Sequence, residues 1–404
     1  MTKLQRIMLF FLLFGTMLIF GLIENIKGVS YPLIKAEFDA SWEQQGFMVS
    51  MLSLSYVSFS IAAGIFLGRF GIKPAFLSGF AALTLGLFSV FFMPGFFSAA
   101  AALFLVFAGF GFFEVGINAL ASRTFTSKAA VLMNMLHAFY GIGAIIGPKA
   151  AGLLANNAGF GWRYIYLLCL PLSLMLFIPG IFIKFPEEKH SRSAVNEADK
   201  TGGPVKRKSF FDALRSPMVW FFSLTLGLAV VIEMNSANWG PLYFQDVYGM
   251  DPTTGGAAFL SAFFIVFTLS RLVCGAFVER IGYIRSLTGL ACIILLIFIA
   301  GFCLGERGIY ILPALGFFVA LLWPTIMALA IVRFGDDAPV MSSAMIAIGG
   351  ILNAGVQFLV GLTNRFFGPA WGYRSSLLYT ALLIGMLILL RKKLNQTREV
   401  RHGF

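Results

Sequence analysis

The chain has 404 residues, 59% of them hydrophobic and 12% charged, with a formal net charge of +12. A soluble domain carries about twice that charged fraction, so a wholly water-exposed exterior is excluded and lipid is the solvent that accepts this composition. The basic residues lie mostly between apolar runs, so a membrane accounts for the charge better than nucleic acid does.

A membrane-spanning helix needs roughly 20 predominantly apolar residues. Segments of that kind are predicted at 8–34, 44–68, 74–95, 98–122, 131–155, 163–184, 217–244, 254–278, 285–304, 308–331, 341–364 and 369–390. The first follows basic residues but is longer than a signal-peptide core and has no small-residue cleavage site, so it reads as a retained span. Residues 185–216 form the only long hydrophilic stretch. The expected domains are therefore an N-terminal six-helix bundle (1–184), a linker (185–216), a C-terminal six-helix bundle (217–390) and a tail (391–404). Within the linker, Phe210–Leu214 is expected to lie on the membrane surface. Lys3, Arg6, Arg69, Lys73, Arg123, Lys128, Lys206, Arg207, Lys208, Arg280, Arg285, Arg333 and Arg391–Lys393 fall on one side, which places both termini and the linker in the cytoplasm of a cell (inner or plasma) membrane protein. Cys169, Cys274, Cys292 and Cys303 sit in apolar segments without metal or disulfide spacing.

The two halves repeat. "GLIENIKGVSYP" and "VVIEMNSANWGP" carry Glu24 and Glu233, 209 residues apart, each followed eight residues later by Pro. "GIFLGRFGIK" (Gly64, Gly68, Arg69, Gly71, Lys73) is echoed by "GAFVERIGYIR" (Gly275, Glu279, Arg280, Gly282, Arg285). Small residues let helices approach closely, and an acid beside an Arg at a helix end can latch neighbouring helices. In this place the pattern resembles the loop signature G-x-x-x-D-R-x-G-R-R of the major facilitator superfamily. The resemblance implies an all-α integral membrane fold of 12 transmembrane helices in two pseudo-symmetric six-helix bundles, and a transporter that rocks them around a central cavity. The first copy has Gly68 where the family has an acid, and the second keeps Glu279, so the latch is expected to be stronger in the C-terminal half. Arg271, two turns before Glu279, is expected to brace it.

Ionisable groups at bilayer depth are costly and face the bundle interior. By the resemblance, spans one, four, seven and ten line the cavity. Glu24 and Lys27 are three apart, and two readings stand: a structural ion pair, or a substrate or cation site. Glu114 has no sequence neighbour to pair with, and an unpaired carboxyl in an apolar site suits proton loading and release. Asn118 shares its helix face. His137 and Tyr140 are three apart in span five, where His137 either lines the cavity or packs. Glu233, Asn235, Asn238 and Trp239 offer amide and carboxyl groups for hydroxyls and an indole face for a sugar ring. Trp323 stands in span ten at the offset of Glu114, and Asn353, Gln357 and Asn364 form a stripe in span eleven.

"GFGFFEVGINALASRTF" and "MNMLHAFYGIGAIIG" are similar to the fucose permease / glucose–galactose (fucose:proton symporter) group. That resemblance implies Glu24 and Glu114 as the protonation and sugar-contact pair. His137 departs from the group, which is amide-rich there. "GAIIGPKAAG" partly matches the G-x-x-x-G-P-x-x-G-G run of drug:proton antiporters, but Lys149 interrupts it and Leu105 stands where those antiporters place an Arg. The expected function is secondary active, proton-coupled symport of a small polyhydroxylated solute (a sugar) by alternating access. The alternative is a proton-coupled drug or metabolite exporter of the same superfamily, and a third reading is a sensor on the same fold. No phosphate loop, triad order or metal-ligand cluster marks an enzyme. No cofactor is expected. The expected partners are a small-molecule substrate, a proton or sodium ion and the lipid bilayer, around a monomer.

Overall fold

The computed structural model describes residues 3–125, 129–157, 161–186, 210–273, 278 and 280–402. Among them, 12 helices are long and apolar enough to cross a membrane, and each overlaps one of the segments expected from the sequence. Gly275 and Glu279 of the second loop signature lie outside the described residues, as do Lys128, Cys274 and linker residues 187–209.

The first span is broken in two. Helix α1 (Lys3–Asn25) ends where α2 (Lys27–Glu37) begins. Pro32 has no N–H to give to the Gly28 carbonyl, and Asn25 Nδ2 donates to the Gly21 carbonyl at 2.8 Å. The break therefore falls in the run Glu24–Lys27, so the ionisable residues of the first span's interior sit where the helix is interrupted. Such irregular backbone is tolerated at membrane depth only inside protein or against a cavity.

Helices α3 (Trp42–Phe70), α4 (Ile72–Phe91), α5 (Phe96–Thr124), α6 (Ala129–Asn157) and α7 (Trp162–Phe182) complete the N-terminal bundle. A capping box opens α3: Ser41 Oγ accepts from Gln44 N–H at 3.3 Å while Gln44 Oε1 accepts from Ser41 N–H at 2.8 Å. Small residues set the α1–α6 contact. A Cβ at Gly21 would overlap the Tyr140 carbonyl oxygen, and one at Gly143 or Gly147 would overlap the Leu18 or Leu22 carbonyl. The glycines of the antiporter-like run thus serve close helix packing. Gly143→Ala is expected to destabilise the protein by about 1–3 kcal/mol through overpacking. A lowered midpoint of thermal unfolding in detergent checks this.

The short α8 (Phe210–Leu214) precedes α9 (Pro217–Tyr248). Phe211 is exposed and Ala213 buried, the division expected of a surface-lying segment. The C-terminal bundle continues with α10 (Ala257–Val273), α11 (Tyr283–Cys303), the broken tenth span of α12 (Leu315–Val319) and α13 (Leu322–Phe334), then α14 (Ala338–Phe367), α15 (Pro369–Arg374) and α16 (Ser376–His402). Gly71 and Gly282, repeat mates in the loop signatures, both turn the chain at φ 92°. A side chain would be strained there, so the repeat is legible in the backbone as well as in the residues.

The bundles meet along one half of their length. Helix α3 crosses α14, with Gly46 against Gly361, Ser53 near Asn353 and Val57 against Gly350. Helix α6 lies along α10, with Gly152 against Thr253, the Ile145 carbonyl accepting from Ser261 Oγ at 2.9 Å, and Gly141 against Thr268. At the far end of α3 the contact has ended, and a Cβ at Gly64 or Gly68 would meet no atom within 4 Å. The closed end carries Lys35 over the Trp42 ring (4.3 Å), Trp42 beside Trp239 (6.4 Å between ring centroids), and a Glu43–Arg365 ion pair of 2.6 Å that joins the bundles. The open end is that of the two termini.

Candidate functional site

Between the bundles lies a cavity of about 280 Å³. That is just below the roughly 300–1,000 Å³ typical of small-molecule sites, so its occupant is small. Its wall is mainly apolar, with Phe20, Phe107 and Phe267 among the lining side chains, and a few polar groups converge on it.

Glu24 and Glu114 both line the cavity, from α1 and α5. They are held differently. Glu24 Oε1 is 3.3 Å from Lys27 Nζ, and its Oε2 accepts from the Tyr140 hydroxyl at 2.6 Å. Lys27 is buried, 3.8 Å from Met234 Sδ of the opposite bundle and 5.8 Å from the Phe107 ring centroid. The ion pair with Lys27, one of the two readings of Glu24, is formed, and Glu24 lines the cavity as well. Glu114 Oε2 accepts from the Tyr56 hydroxyl at 2.9 Å and makes no ion pair with a described residue. Tyr56 was not among the expected residues. Its signal was present as Ser53, Tyr56 and Ser60, an i, i+3, i+7 stripe in span two whose three members all line the cavity.

Helix periodicity divides the seventh-span cluster. Val230, Glu233, Met234 and Asn238 occupy one face of α9 and line the cavity. Asn235 and Trp239, four apart, share another face, fully buried in the C-terminal bundle. They meet Gln357, which does not line the cavity either. Gln357 Oε1 accepts from Trp239 Nε1 at 2.8 Å and Asn238 Nδ2 at 3.3 Å, while its Nε2 donates to Asn353 Oδ1 at 3.0 Å and Asn235 Oδ1 at 3.2 Å. Asn235 Nδ2 donates on to Ser376 Oγ at 3.3 Å. The expectation that Asn235, Trp239 and Gln357 touch solute is therefore revised: they form a buried amide cluster that supports Asn238 and Asn353, which do line the cavity. Asn353 Nδ2 also reaches Ser53 Oγ across the bundles at 3.4 Å. Gln357→Leu would strip four polar groups of a partner, each at a cost of about 1–3 kcal/mol. A large drop in thermal stability is expected, and an unchanged unfolding midpoint would show that the cluster contributes nothing.

Asn118 turns back on its own helix, Nδ2 donating to the Glu114 carbonyl at 2.6 Å, and does not line the cavity. His137, Tyr140 and Trp323 do line it. Asn364 lies beyond the cavity, where its Oδ1 accepts from Gly372 N–H at 2.7 Å and ties α15 to the end of span eleven. Of the expected latch, Gly71 and Gly282 form matching turns, Gly64 stands free of neighbours, and the Arg69 guanidinium lies 5.5 Å from the Phe70 ring centroid. Arg280 is exposed. Arg271 was expected to brace this latch, but it faces the cavity.

Among protein families, residues 12–354 match the Major Facilitator Superfamily. The chain belongs to this superfamily. The facilitator is a multi-pass membrane transporter whose substrate is a small molecule. Solved structures agree on the fold. The E. coli fucose:proton symporter FucP is similar at 19% identity with a TM-score of 0.63, covering 96% of this chain and 99% of that one. A bacterial homolog of the human lysosomal transporter Spinster gives 13% identity and a TM-score of 0.77, covering 97% and 98%. The nucleoside transporter NupG gives 13% identity and a TM-score of 0.75, covering 96% and 99%.

Proposed function

We propose that this facilitator carries a small polyhydroxylated solute of the sugar class into the cell together with a proton, and that Glu114 carries the proton. The observation that bears this reading is the contrast between the two N-bundle carboxyls. Protonating Glu24 would leave the buried Lys27 ammonium without its counter-charge, which is costly. Protonating Glu114 breaks no ion pair with a described residue, because its bonded partner is the Tyr56 hydroxyl. A carboxyl of that kind, facing a cavity between moving bundles, can load and release a proton as access alternates.

The solute class rests on the cavity. Asn238, Asn353, Ser53 and Ser60 present short hydrogen-bonding groups around an apolar and aromatic wall. Asn238 Oδ1 is buried and accepts no hydrogen bond from a described residue, which suits a solute hydroxyl. The orientation follows from charge. The basic residues gather at the open end, so both termini and the linker are cytoplasmic and the cavity faces the cytoplasm. The protein then resides in the cell membrane, and residues 1–184 and 217–390 are the two moving units.

Uptake into proteoliposomes tests the reading. An acid-outside pH gradient is expected to drive accumulation of the transported sugar, and a protonophore to abolish it. A broad drug-resistance phenotype with no solute uptake would replace symport with export.

A further inference from the structure

The side chain that the transport reading leaves unused is Arg271. Pro324 has no N–H, so the Ala320 carbonyl, four residues earlier in the broken tenth span, lacks its helical partner. Arg271 Nε donates to that oxygen at 3.4 Å, and the guanidinium carbon lies 4.4 Å from the Phe267 ring centroid. The guanidinium is thus fixed by a carbonyl and an aromatic ring, while its terminal nitrogens make no hydrogen bond or ion pair with a described residue. Lys27, a second cation lining the cavity, is already paired with Glu24. The charged and titratable neighbours of Arg271 are Glu114 and His137 across the cavity and Glu233 on α9. Glu233 also makes no hydrogen bond or ion pair with a described residue.

A fixed guanidinium with its fork unoccupied matches a carboxylate in bidentate geometry. We propose that the solute bears a carboxylate that docks on Arg271, so that the cargo is a sugar acid, an aldonate or uronate, in place of a neutral sugar. This rests on the symport reading and narrows it. The hydroxyls of such a solute meet Asn238 and Asn353, and its carbon skeleton meets Trp323. The charges also supply the coupling. A solute carboxylate arriving beside Glu114 and Glu233 places like charges together, which favours protonation of one of the carboxyls. The carboxyl O–H that forms is balanced by the O–H broken in a hydronium ion, which leaves as water. One anion and one proton then cross together with no net charge.

The test uses purified wild-type protein and proteoliposomes. Thermal shifts are measured with D-glucose, D-galactose and L-fucose, and with D-gluconate, D-glucuronate and D-galacturonate. A true ligand raises the unfolding midpoint by mass action. At least one acid is expected to stabilise the wild type while its neutral counterpart does not. Arg271→Lys is expected to weaken that acid at least tenfold and Arg271→Gln to abolish its effect. Uptake of the acid down a pH gradient is expected to be indifferent to an imposed membrane potential. If a neutral sugar alone stabilises the wild type, and its proton-driven uptake responds to the potential, the carboxylate proposal is overturned and sugar symport stands. If no sugar or acid stabilises the wild type, both readings fall.

Discussion

Glu114→Gln is expected to abolish uphill solute accumulation while leaving counterflow exchange intact. Glutamine keeps an acceptor for the Tyr56 hydroxyl and approximates the protonated carboxyl in shape and charge. The solute site should therefore survive, and the bundles should still alternate with solute bound. What is lost is the ability to release a proton, and with it the link to the gradient. In the wild type, one proton per solute sets a ceiling of about tenfold accumulation per pH unit when no membrane potential acts. In the variant the ratio should fall to one. The measurement is paired: accumulation under a pH gradient and exchange without one, in the same vesicles. Accumulation that persists in Glu114→Gln would move the proton to another group, with the cavity-lining Glu233 the next to examine.

Gly46→Leu is expected to do the reverse and remove exchange itself. Gly46 and Gly361 cross at the closed end, where a Cβ at Gly46 would lie 2.9 Å from Gly361 Cα and one at Gly361 would lie 2.6 Å from the Trp42 carbonyl oxygen. A leucine there forces the bundles apart at that end, at about 1–3 kcal/mol for the overpacked state. Each 1.4 kcal/mol shifts a two-state population about tenfold, so the closed end should spend most of its time open. Counterflow is expected to fall by about 5- to 150-fold. An impermeant thiol reagent should reach a cysteine placed at Asn353 from that side faster than in the Gly46 parent. Unchanged counterflow would show that the crossing does not gate access. The Glu43–Arg365 pair beside it is partly exposed and contributes little by itself. Backbone contact, more than charge, keeps this end shut.

Much of the fold was legible because a membrane imposes one rule on every span: a length of apolar residues with its backbone satisfied internally. The repeat of Glu24 and Glu233 and the paired glycines Gly71 and Gly282 stand in the residues themselves, while the matching turns are a property of the backbone. The site was less legible for geometric reasons. "IEMNSANW" reads as one polar cluster along the chain, yet a helix advances about 100° per residue, so Glu233 and Asn238 face the cavity while Asn235 and Trp239 face Gln357. Tyr56 escaped notice because its partner, Glu114, is 58 residues away. Along the chain, Arg271 stands nearest the loop signature that follows it. Its actual partner, the Ala320 carbonyl, is exposed by a proline in another span. Partnerships between spans set these roles, and a single sequence does not print them.

The central claim is that solute and proton cross together through this cavity, and the most direct measurement is the pH of lightly buffered medium around de-energised proteoliposomes when solute is added. Co-transport predicts an immediate alkalinisation outside, in proportion to the solute taken up, abolished by Glu114→Gln. Solute uptake with no change in pH, or with acidification, would contradict it.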